Sequence, residues 1–446
     1  MKDFFKLKEN KTDVKTEVLA GLTTFMTMAY ILAVNPSILG ATGMPTGELF
    51  TATAIAAIVG TTAMALLANL PFALAPGMGL NAYMAFTVVL GYGYSWQLAL
   101  FAVFLEGLLF ILLSVVNVRE AILNAIPKNL KYGISAGIGL FIAFVGLQNA
   151  GVVVQNSSTG VTLGEMTAAG PCLAVVGVLI IAVLHHRKVK GSLLIGILAT
   201  WILGIAAELI GWYQVDSLLP SGIVSLPDWI GTIGGACFNM EAVQGGLAGG
   251  DFILNLIVVM LSFMFVDIFD TVGTLIGVAS KADMLDENGQ VPKAKQALLS
   301  DAIATSVGAV CGTSTTTTFV ESAAGVAQGG RTGLTSLTVA GLFVLALFFS
   351  PIFLAIPSFA TAPALIFVGF LMIESLFKVD YQDAPEAIPA FLATIMMPFA
   401  YSISEGIAFG IVSYVLINVC CGRRKNVSII MWVLAILFLA YYIFVK

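Results

Sequence analysis

The chain has 446 residues, of which 59% are hydrophobic and only 10% are charged, and its formal net charge is −5. A mean hydropathy of +1.00 excludes a soluble globular protein of this size and predicts an all-α polytopic membrane protein. Motifs for nucleotide phosphates, zinc or a nucleophilic triad are not found in the sequence. We therefore expect neither an enzyme nor an ATP-driven pump, and no cofactor or metal.

The first half of the chain, residues 17–212, predicts seven membrane segments. They are Glu17–Pro36, Phe50–Leu70, the interrupted Pro71–Leu90, Trp96–Val116, Tyr132–Asn149, Pro171–Leu184 and Ser192–Trp212. Two prolines and two glycines lie within residues 71–79 of the third segment, and together they prevent one straight helix. A Gly-rich linker, residues 213–250, follows this half and is predicted to be external.

The second half, residues 251–426, predicts seven more segments. They are Phe252–Ser280, Ala297–Cys311, an interrupted segment at Thr313–Ser322, Leu334–Phe353, Pro363–Ser375, Ala387–Ala400 and Ile403–Cys420. The β-branched Thr run fits an extended strand, and the sequence favours a helix again from Val320, so we expect a short strand followed by a half-helix. The third segment of each half is thus interrupted, which indicates about 14 segments as 7+7 inverted repeats.

The positive charges predict the orientation. Lys and Arg cluster in residues 1–16, Arg119–Lys131, Arg187–Lys190, Lys281–Lys295, Arg331, Lys378 and Arg423–Lys425, and are absent from Asn35–Thr46, Gln148–Ala169 and Tyr213–Gly250. By the positive-inside rule the N-terminus is cytoplasmic, in the cell membrane. A last apolar run, Ile429–Val445 within residues 427–446, either spans the membrane or lies on its surface.

Acidic side chains within the apolar eighth segment predict a transport pathway. Asp267, Asp270, Thr271 and Thr274 recur at helical spacings, so they are expected to share one face. Carboxylates at this depth mark a substrate or ion path, although either could instead be a structural partner of a Thr hydroxyl or a Lys. Two carboxylates one helical turn apart resist joint ionisation, which suits proton coupling.

The two interrupted segments predict the rest of the site. Asn81 and Glu321 lie near the starts of the two half-helices and offer hydrogen-bond donors and acceptors, although Asn81 could simply cap its helix. Gly79 would let the backbone approach a ligand closely, and Phe25 and Phe319 could stack on a flat ring. The alternative for residues 313–322 is an external polar loop.

Three motifs carry a resemblance to a known family. Pro76-Gly77-Met78-Gly79-Leu80-Asn81-Ala82, Phe269-Asp270-Thr271-x-Gly273-Thr274 and Thr316-Thr317-Thr318-x-x-Glu321-Ser322 resemble the azaguanine-type adenine/guanine/hypoxanthine permeases of the nucleobase/cation symporter (nucleobase-ascorbate transporter) superfamily. The similarity runs from about residue 12 to about residue 420. It implies fourteen segments divided into a core domain, residues 17–116 and 251–353, and a gate domain, residues 132–212 and 360–420.

The resemblance also implies purine import by proton symport, with alternating access to a midplane site. Its binding positions match Asn81, an acid on the eighth segment and Glu321, and Glu321 is an alternative to the Asp267/Asp270 pair as proton carrier. The predicted substrate site comprises Phe25, Gly79, Asn81, Asp267, Asp270, Thr274, Thr318, Phe319, Glu321 and Ser322.

Two other functions are compatible with the sequence. A carrier of the same fold could take uracil, xanthine or a small anion, although no Lys or Arg lies inside a segment to receive an anion. A cation channel lined by acidic side chains is the alternative from another class. The expected partners are a purine base, protons and the lipid bilayer; a homodimer is compatible, and nucleic acid is not expected.

Overall fold

The computed structural model describes residues 4–115, 126–214, 218–245, 249–281, 284 and 291–444, and these are predominantly helical. The helices are α1 (Val14–Met28), α2 (Ile31–Gly40), α3 (Thr46–Ala63), α4 (Met78–Ala82), α5 (Trp96–Val115), α6 (Lys128–Asn149), α7 (Ala169–His186), α8 (Ser192–Leu209), α9 (Met240–Gln244), α10 (Gly249–Lys281), α11 (Ala294–Cys311), α12 (Ser322–Ala327), α13 (Gly333–Ala346), α14 (Ser350–Leu354), α15 (Ser358–Ile373), α16 (Ala384–Phe399), α17 (Ile403–Cys420) and α18 (Ile429–Phe444). The strands are β1 (Leu74–Pro76), β2 (Val153–Asn156), β3 (Gly160–Leu163) and β4 (Thr316–Thr318).

Eight helical stretches within these residues are long and apolar enough to cross a membrane. They are Val14–Gly40, Thr46–Ala68, Trp96–Ser114, Lys128–Asn149, Ala169–His186, Ser192–Leu209, Gly333–Leu354 and Ser358–Lys378. Shorter apolar helices are Met78–Val89, Phe252–Ile268, Ala384–Phe399, Glu405–Cys420 and Ile429–Leu439. The fold is therefore helical with many apolar segments, whereas the total of fourteen stays a prediction.

The helices pack in two groups. In one, α6 packs against α15, α16 and α17, and α15 also contacts α7 and α8. In the other, α11 packs against α3 and α5, and α13 packs against α1 and α3. The first group lies in residues 128–209 and 358–420, and the second in residues 14–115 and 294–346. The division into a gate domain, residues 132–212 and 360–420, and a core domain, residues 17–116 and 251–353, stays a prediction.

Glycines bring the helices of the first group into close contact. A Cβ atom added to Gly369 of α15 would lie 2.4 Å from the carbonyl oxygen of Gly139 on α6. A Cβ added to Gly133 would lie 2.4 Å from the carbonyl oxygen of Ala390 on α16. Small residues are the usual means of close helix approach in a membrane, where association depends on packing rather than on exclusion of water.

Three features differ from the sequence-based expectation or add to it. The first predicted segment is divided between α1 and α2, and the connection after α6 contains a β2–β3 hairpin that hydropathy did not predict. The last apolar run forms α18, whose Tyr442 hydroxyl donates to Glu405 of α17. Parts of the predicted loops 119–131, 213–250 and 281–295, and residues 1–3 and 445, lie outside the described residues.

Candidate substrate site

The two interrupted segments meet as an antiparallel strand pair. β1 pairs with β4 in the register Leu74↔Thr318, Ala75↔Thr317 and Pro76↔Thr316. The pairing extends at both ends, where Gly77 N donates to Thr315 O at 3.0 Å and Phe319 N donates to Ala73 O at 2.9 Å. Each strand thereby satisfies backbone groups of the other that could not reach water inside a membrane.

The Thr run lies inside the protein. Thr313, Ser314, Thr315 and Thr316 have no exposed surface, and Thr317 and Thr318 are 1% and 2% exposed. The alternative of an external polar loop is therefore wrong. Short helices follow both strands: α4 continues as a π-helical stretch, Tyr83–Val89, and α12 begins directly after Glu321.

Asn81 is fully buried and its amide is oriented by Ser314. The Ser314 hydroxyl donates to Asn81 Oδ1, and Asn81 Nδ2 donates to Pro76 O across a long 3.4 Å. Asn81 is the fourth residue of α4, whose N-cap position is held by Gly77 without a side-chain hydrogen bond. Asn81 is therefore not the cap of its own helix, and Nδ2 is its more weakly engaged group.

Glu321 lies at the N-cap position of α12 and is bonded to Thr27 of α1 and to Tyr30, the N-cap residue of α2. The Tyr30 hydroxyl donates to Glu321 Oε1 at 2.6 Å, and the Thr27 hydroxyl donates to the Glu321 carbonyl oxygen at 3.4 Å. Tyr30 is fully buried, whereas Glu321 is partly exposed. The buried tyrosine thus fixes one carboxylate oxygen and orients the other.

The two carboxylates of the eighth segment have different partners. Asp270 is partly exposed and accepts from the Thr317 hydroxyl of β4 at 3.3 Å. A Cβ atom added to Gly77 would lie 3.3 Å from Asp270 Oδ2, so the carboxylate lies close to the residue from which α4 begins. Asp270 therefore adjoins the pair formed by β1 and β4, which we call the strand crossing.

Asp267 is fully buried and is joined instead to a carboxylate of α11. The Thr271 hydroxyl oxygen lies 2.9 Å from Asp267 Oδ1 and 3.0 Å from Asp301 Oδ1. The Thr271 hydroxyl carries one proton and can donate to only one of the two carboxylates. The other contact is a hydrogen bond only when the carboxyl group there is protonated and donates to the Thr271 oxygen. The carboxylate paired with Asp267 through Thr271 is Asp301, not Asp270 as we expected from the helical spacing.

The remaining predicted residues occupy varied positions. Ser322 Oγ accepts from Ala73 N at 3.0 Å, and so supports the backbone beside β1. Thr318 and Phe319 are buried within or beside β4, and Thr274 is partly exposed on α10. Thr318 Oγ1 has no hydrogen-bond partner among the residues described.

Gly79 and Phe25 contact other parts of the protein. A Cβ atom added to Gly79 would lie 2.9 Å from Ile138 Cγ2, so this glycine allows α4 to approach α6 closely. The Phe25 ring packs edge-on against Phe343, with centroids 5.2 Å apart. Phe25 also borders an apolar cleft of about 310 Å³ beside α8 and α14.

Sequence reasoning missed three residues of this network: Tyr30, Glu106 and Asp301. Glu106 accepts from the Thr315 hydroxyl at 2.9 Å, and both Glu106 and Asp301 are fully buried. A carboxylate inside an apolar run is the signal that marked Asp267, and it could have found both acids. Nothing in the sequence around Tyr30 distinguishes it from other aromatic residues of the segments.

Comparison with known proteins agrees with this architecture. The Permease family (Xan_ur_permease) matches residues 15–409. Adenine permease AdeP of Escherichia coli (strain K12) is 44% identical over 99% of this chain and 95% of its own length. Guanine/hypoxanthine permease PbuO of Bacillus subtilis (strain 168) is 48% identical over 97% of this chain and 98% of its own.

A solved structure shares the fold. The transmembrane domain of the cyanobacterial bicarbonate transporter BicA superposes with a TM-score of 0.63, covers 89% of this chain and 97% of its own, and is 16% identical. At that identity the likeness concerns the fold alone. The family match and the long apolar helices together identify a multi-pass membrane protein. The chain therefore belongs to the Xan_ur_permease family, the nucleobase-ascorbate transporter family, and is a transporter and not an enzyme.

Proposed function

We propose that the protein imports purine nucleobases across the cell membrane by proton symport, with its N-terminus in the cytoplasm. The observation that carries the proposal is the identity of 44% and 48%, over nearly the whole chain, to permeases named for adenine and for guanine and hypoxanthine. These alignments span 97% or more of this chain, including the crossing strands, both half-helices and the acids beside them.

The chemistry at the strand crossing suits a purine. A purine edge presents ring N–H groups, which need acceptors, beside ring nitrogens, which need donors. The Asp270 and Glu321 carboxylates supply acceptors, and Asn81 Nδ2 supplies a donor because Oδ1 is already occupied by Ser314. Asn81 therefore acts as a donor in this proposal, rather than as donor and acceptor together.

Proton coupling is assigned to the Asp267–Thr271–Asp301 cluster. Both carboxyl groups are fully buried, and both contact one hydroxyl. The shared hydroxyl favours a state in which one proton is held between them. Asp270 lies one helical turn from Asp267 and accepts a hydrogen bond from β4. A change in the protonation of the cluster can therefore affect substrate binding through α10.

Alternating access is proposed between the two helix groups, as core and gate. The turn from α16 to α17 contacts the end of the third segment: the Thr87 hydroxyl donates to Tyr401 O at 3.2 Å. The Tyr401 ring lies 6.3 Å from the Phe86 ring and 5.5 Å from the Phe141 ring. Tyr401 has a φ of 52°, a left-handed conformation that is uncommon for a bulky residue and that places its ring in this cluster.

A carrier for small anions is the second candidate, because BicA, which shares the fold, is a bicarbonate transporter. The charged side chains that hydrogen-bond within the described strand crossing are acidic, which opposes an anion and favours a base with N–H groups. A channel or a uracil carrier remains an outcome of the experiment below.

The test is uptake of radiolabelled adenine, guanine, hypoxanthine and uracil in cells that lack their own permeases, with and without an uncoupler. We expect saturable, concentrative uptake of at least one purine that the uncoupler abolishes. Uptake without saturation would indicate a channel. Uracil transport with no purine transport would contradict the substrate, and accumulation that survives the uncoupler would contradict proton symport.

Removing the Asn81 amide should weaken purine binding. Asn81→Ala deletes the Nδ2 donor and Asn81→Asp replaces it by an acceptor, so we expect the affinity to fall about three- to tenfold, the usual range for one uncharged hydrogen bond. The measurement is competition by unlabelled purine, with Asn156→Ala on the β2–β3 hairpin as the control. Parental competition by Asn81→Ala would mean that Asn81 serves only its bond to Ser314.

A further inference from the structure

The segment that leads from α11 into β4 is held by three other parts of the protein. The Thr313 hydroxyl accepts from Asn35 Nδ2 at 2.9 Å, and the Ser314 hydroxyl donates to Asn81. The Thr315 hydroxyl donates to Glu106 Oε2 at 2.9 Å. Three consecutive side chains are thus each bonded to a different segment, and only the Ser314 bond reaches a residue of the proposed substrate site.

We propose that Glu106 is a positioning residue that sets which purine the site accepts. It does so by holding Thr315, and through Thr315 the orientation of the Asn81 amide. This inference rests on the proposed function, since it assumes that Asn81 faces the purine. Glu106 lies on α5 and is not part of the strand crossing itself.

Two hydrogen bonds link the backbone around Thr315 to the helix that carries Asn81. Thr315 O accepts from Gly77 N at 3.0 Å, and Gly77 is the residue from which α4 begins. Ser314, the residue before Thr315, donates to Asn81 Oδ1. If Thr315 rotates, both the start of α4 and the Ser314 hydroxyl move. An amide without the Ser314 bond can turn over, and its acceptor then takes the place of its donor.

The position of Glu106 is itself fixed. The next residue, Gly107, lies against α11, where an added Cβ atom would be 2.4 Å from Ser306 Oγ. This close approach of α5 to α11 brings Glu106 beside the segment that leaves α11. An apolar side chain would fill the same space without the cost of burying a carboxyl group. Packing alone therefore does not require a polar side chain here, whereas the bond to Thr315 requires a hydrogen-bond acceptor.

The affinities for adenine and hypoxanthine, compared with each other, report the orientation of the Asn81 amide. At the neighbouring positions 1 and 6, adenine presents an acceptor and a donor, and hypoxanthine presents a donor and an acceptor. An Asn81 amide that turns over exchanges its own donor and acceptor. It should therefore change the ratio of the two affinities, and not only the rate of transport.

The experiment measures this ratio in Glu106→Leu, Glu106→Gln and Thr315→Val, with uptake normalised to the amount of protein in the membrane. We expect Glu106→Leu and Thr315→Val to change the ratio about tenfold, as one misdirected hydrogen bond would. Glu106→Gln keeps an acceptor for Thr315, so its ratio should stay within about threefold of the parent.

Glu17→Gln is the matched control, because Glu17 is also fully buried and accepts from the Thr335 hydroxyl at 2.6 Å, away from β4. It should leave the ratio unchanged. A parental ratio in Thr315→Val, or in Glu106→Leu with only a lower maximal rate, would overturn the proposal. Absence of purine uptake by the parent protein would instead overturn the proposed function. If Glu106→Leu does not reach the membrane, Thr315→Val decides.

Discussion

Replacing Glu321 by glutamine should lower purine uptake by one to two orders of magnitude while the protein still reaches the membrane. Tyr30 donates to Glu321 Oε1, and the glutamine carbonyl oxygen can keep that bond. The amide nitrogen then takes the place of the second carboxylate oxygen and presents a donor to the ring N–H. Losing a charged acceptor costs about 1.5–3 kcal/mol, which corresponds to about a ten- to hundredfold loss.

Two further variants make this result specific. Tyr30→Phe removes the hydroxyl that orients Glu321 but keeps the carboxylate, so its loss should be smaller than that of Glu321→Gln. Glu165→Gln, an exposed acid between β3 and α7, should transport as the parent does. Initial rates over a range of purine concentrations, at equal surface expression, provide the measurement. Parental uptake by Glu321→Gln would remove Glu321 from the substrate site.

An interruption in each of the two segments could be predicted because it depends on local chemistry, whereas the pairing of β1 with β4 was not predicted. Prolines, glycines and β-branched threonines disfavour helix wherever they lie, and a carboxylate in an apolar run is costly in any fold. These two rules located Asn81, Asp270 and Glu321, whose neighbours in the structure are the two strands and the helices after them.

The partners of these side chains could not be predicted, because they come from segments far apart in the chain. Tyr30 and Glu321 are 291 residues apart, and Asn81 and Ser314 are 233 residues apart. Helical spacing placed Asp267 and Asp270 on one broad face of α10. Only the position of α11 shows that Thr271 joins Asp267 to Asp301, whereas Asp270 contacts β4. A periodic pattern gives the direction of a side chain but not the group it meets.

Neutralising either member of the Asp267–Asp301 pair should uncouple transport from the proton gradient. Both carboxylate oxygens lie within 3.0 Å of the Thr271 hydroxyl oxygen, so they are at most about 6 Å apart. Two negative charges at that distance repel by about 3 kcal/mol at an effective dielectric constant of about 20, which favours one bound proton. Asparagine resembles a protonated aspartic acid. Asp267→Asn and Asp301→Asn should therefore hold the pair permanently in the state that resembles the proton-bound one.

The expected signature is a change in pH dependence rather than a simple loss of activity. In the parent, the proposed symport requires a proton to bind before the purine, so the apparent affinity should weaken as the external pH rises. In Asp267→Asn and Asp301→Asn the affinity should be nearly independent of pH, and purine should equilibrate across the membrane without accumulating. Asp270→Asn, in contrast, should lose affinity at every pH and keep its pH dependence, because Asp270 accepts its hydrogen bond from Thr317 of β4.

Comparison of the four variants Asp267→Asn, Asp301→Asn, Asp270→Asn and Glu321→Gln separates two sites for the coupled proton: the Asp267–Asp301 pair and the carboxylates beside the purine. If Asp270→Asn or Glu321→Gln flattens the pH profile while Asp267→Asn and Asp301→Asn keep it, the proton is carried at the strand crossing, beside the purine. If Asp301→Asn alone keeps the parental profile, Asp267 holds the proton without its partner, and the contact through Thr271 serves only to pack α10 against α11. The pair is the carrier only if both asparagine variants flatten the profile, since a shared proton cannot be removed by changing one site and retained by changing the other.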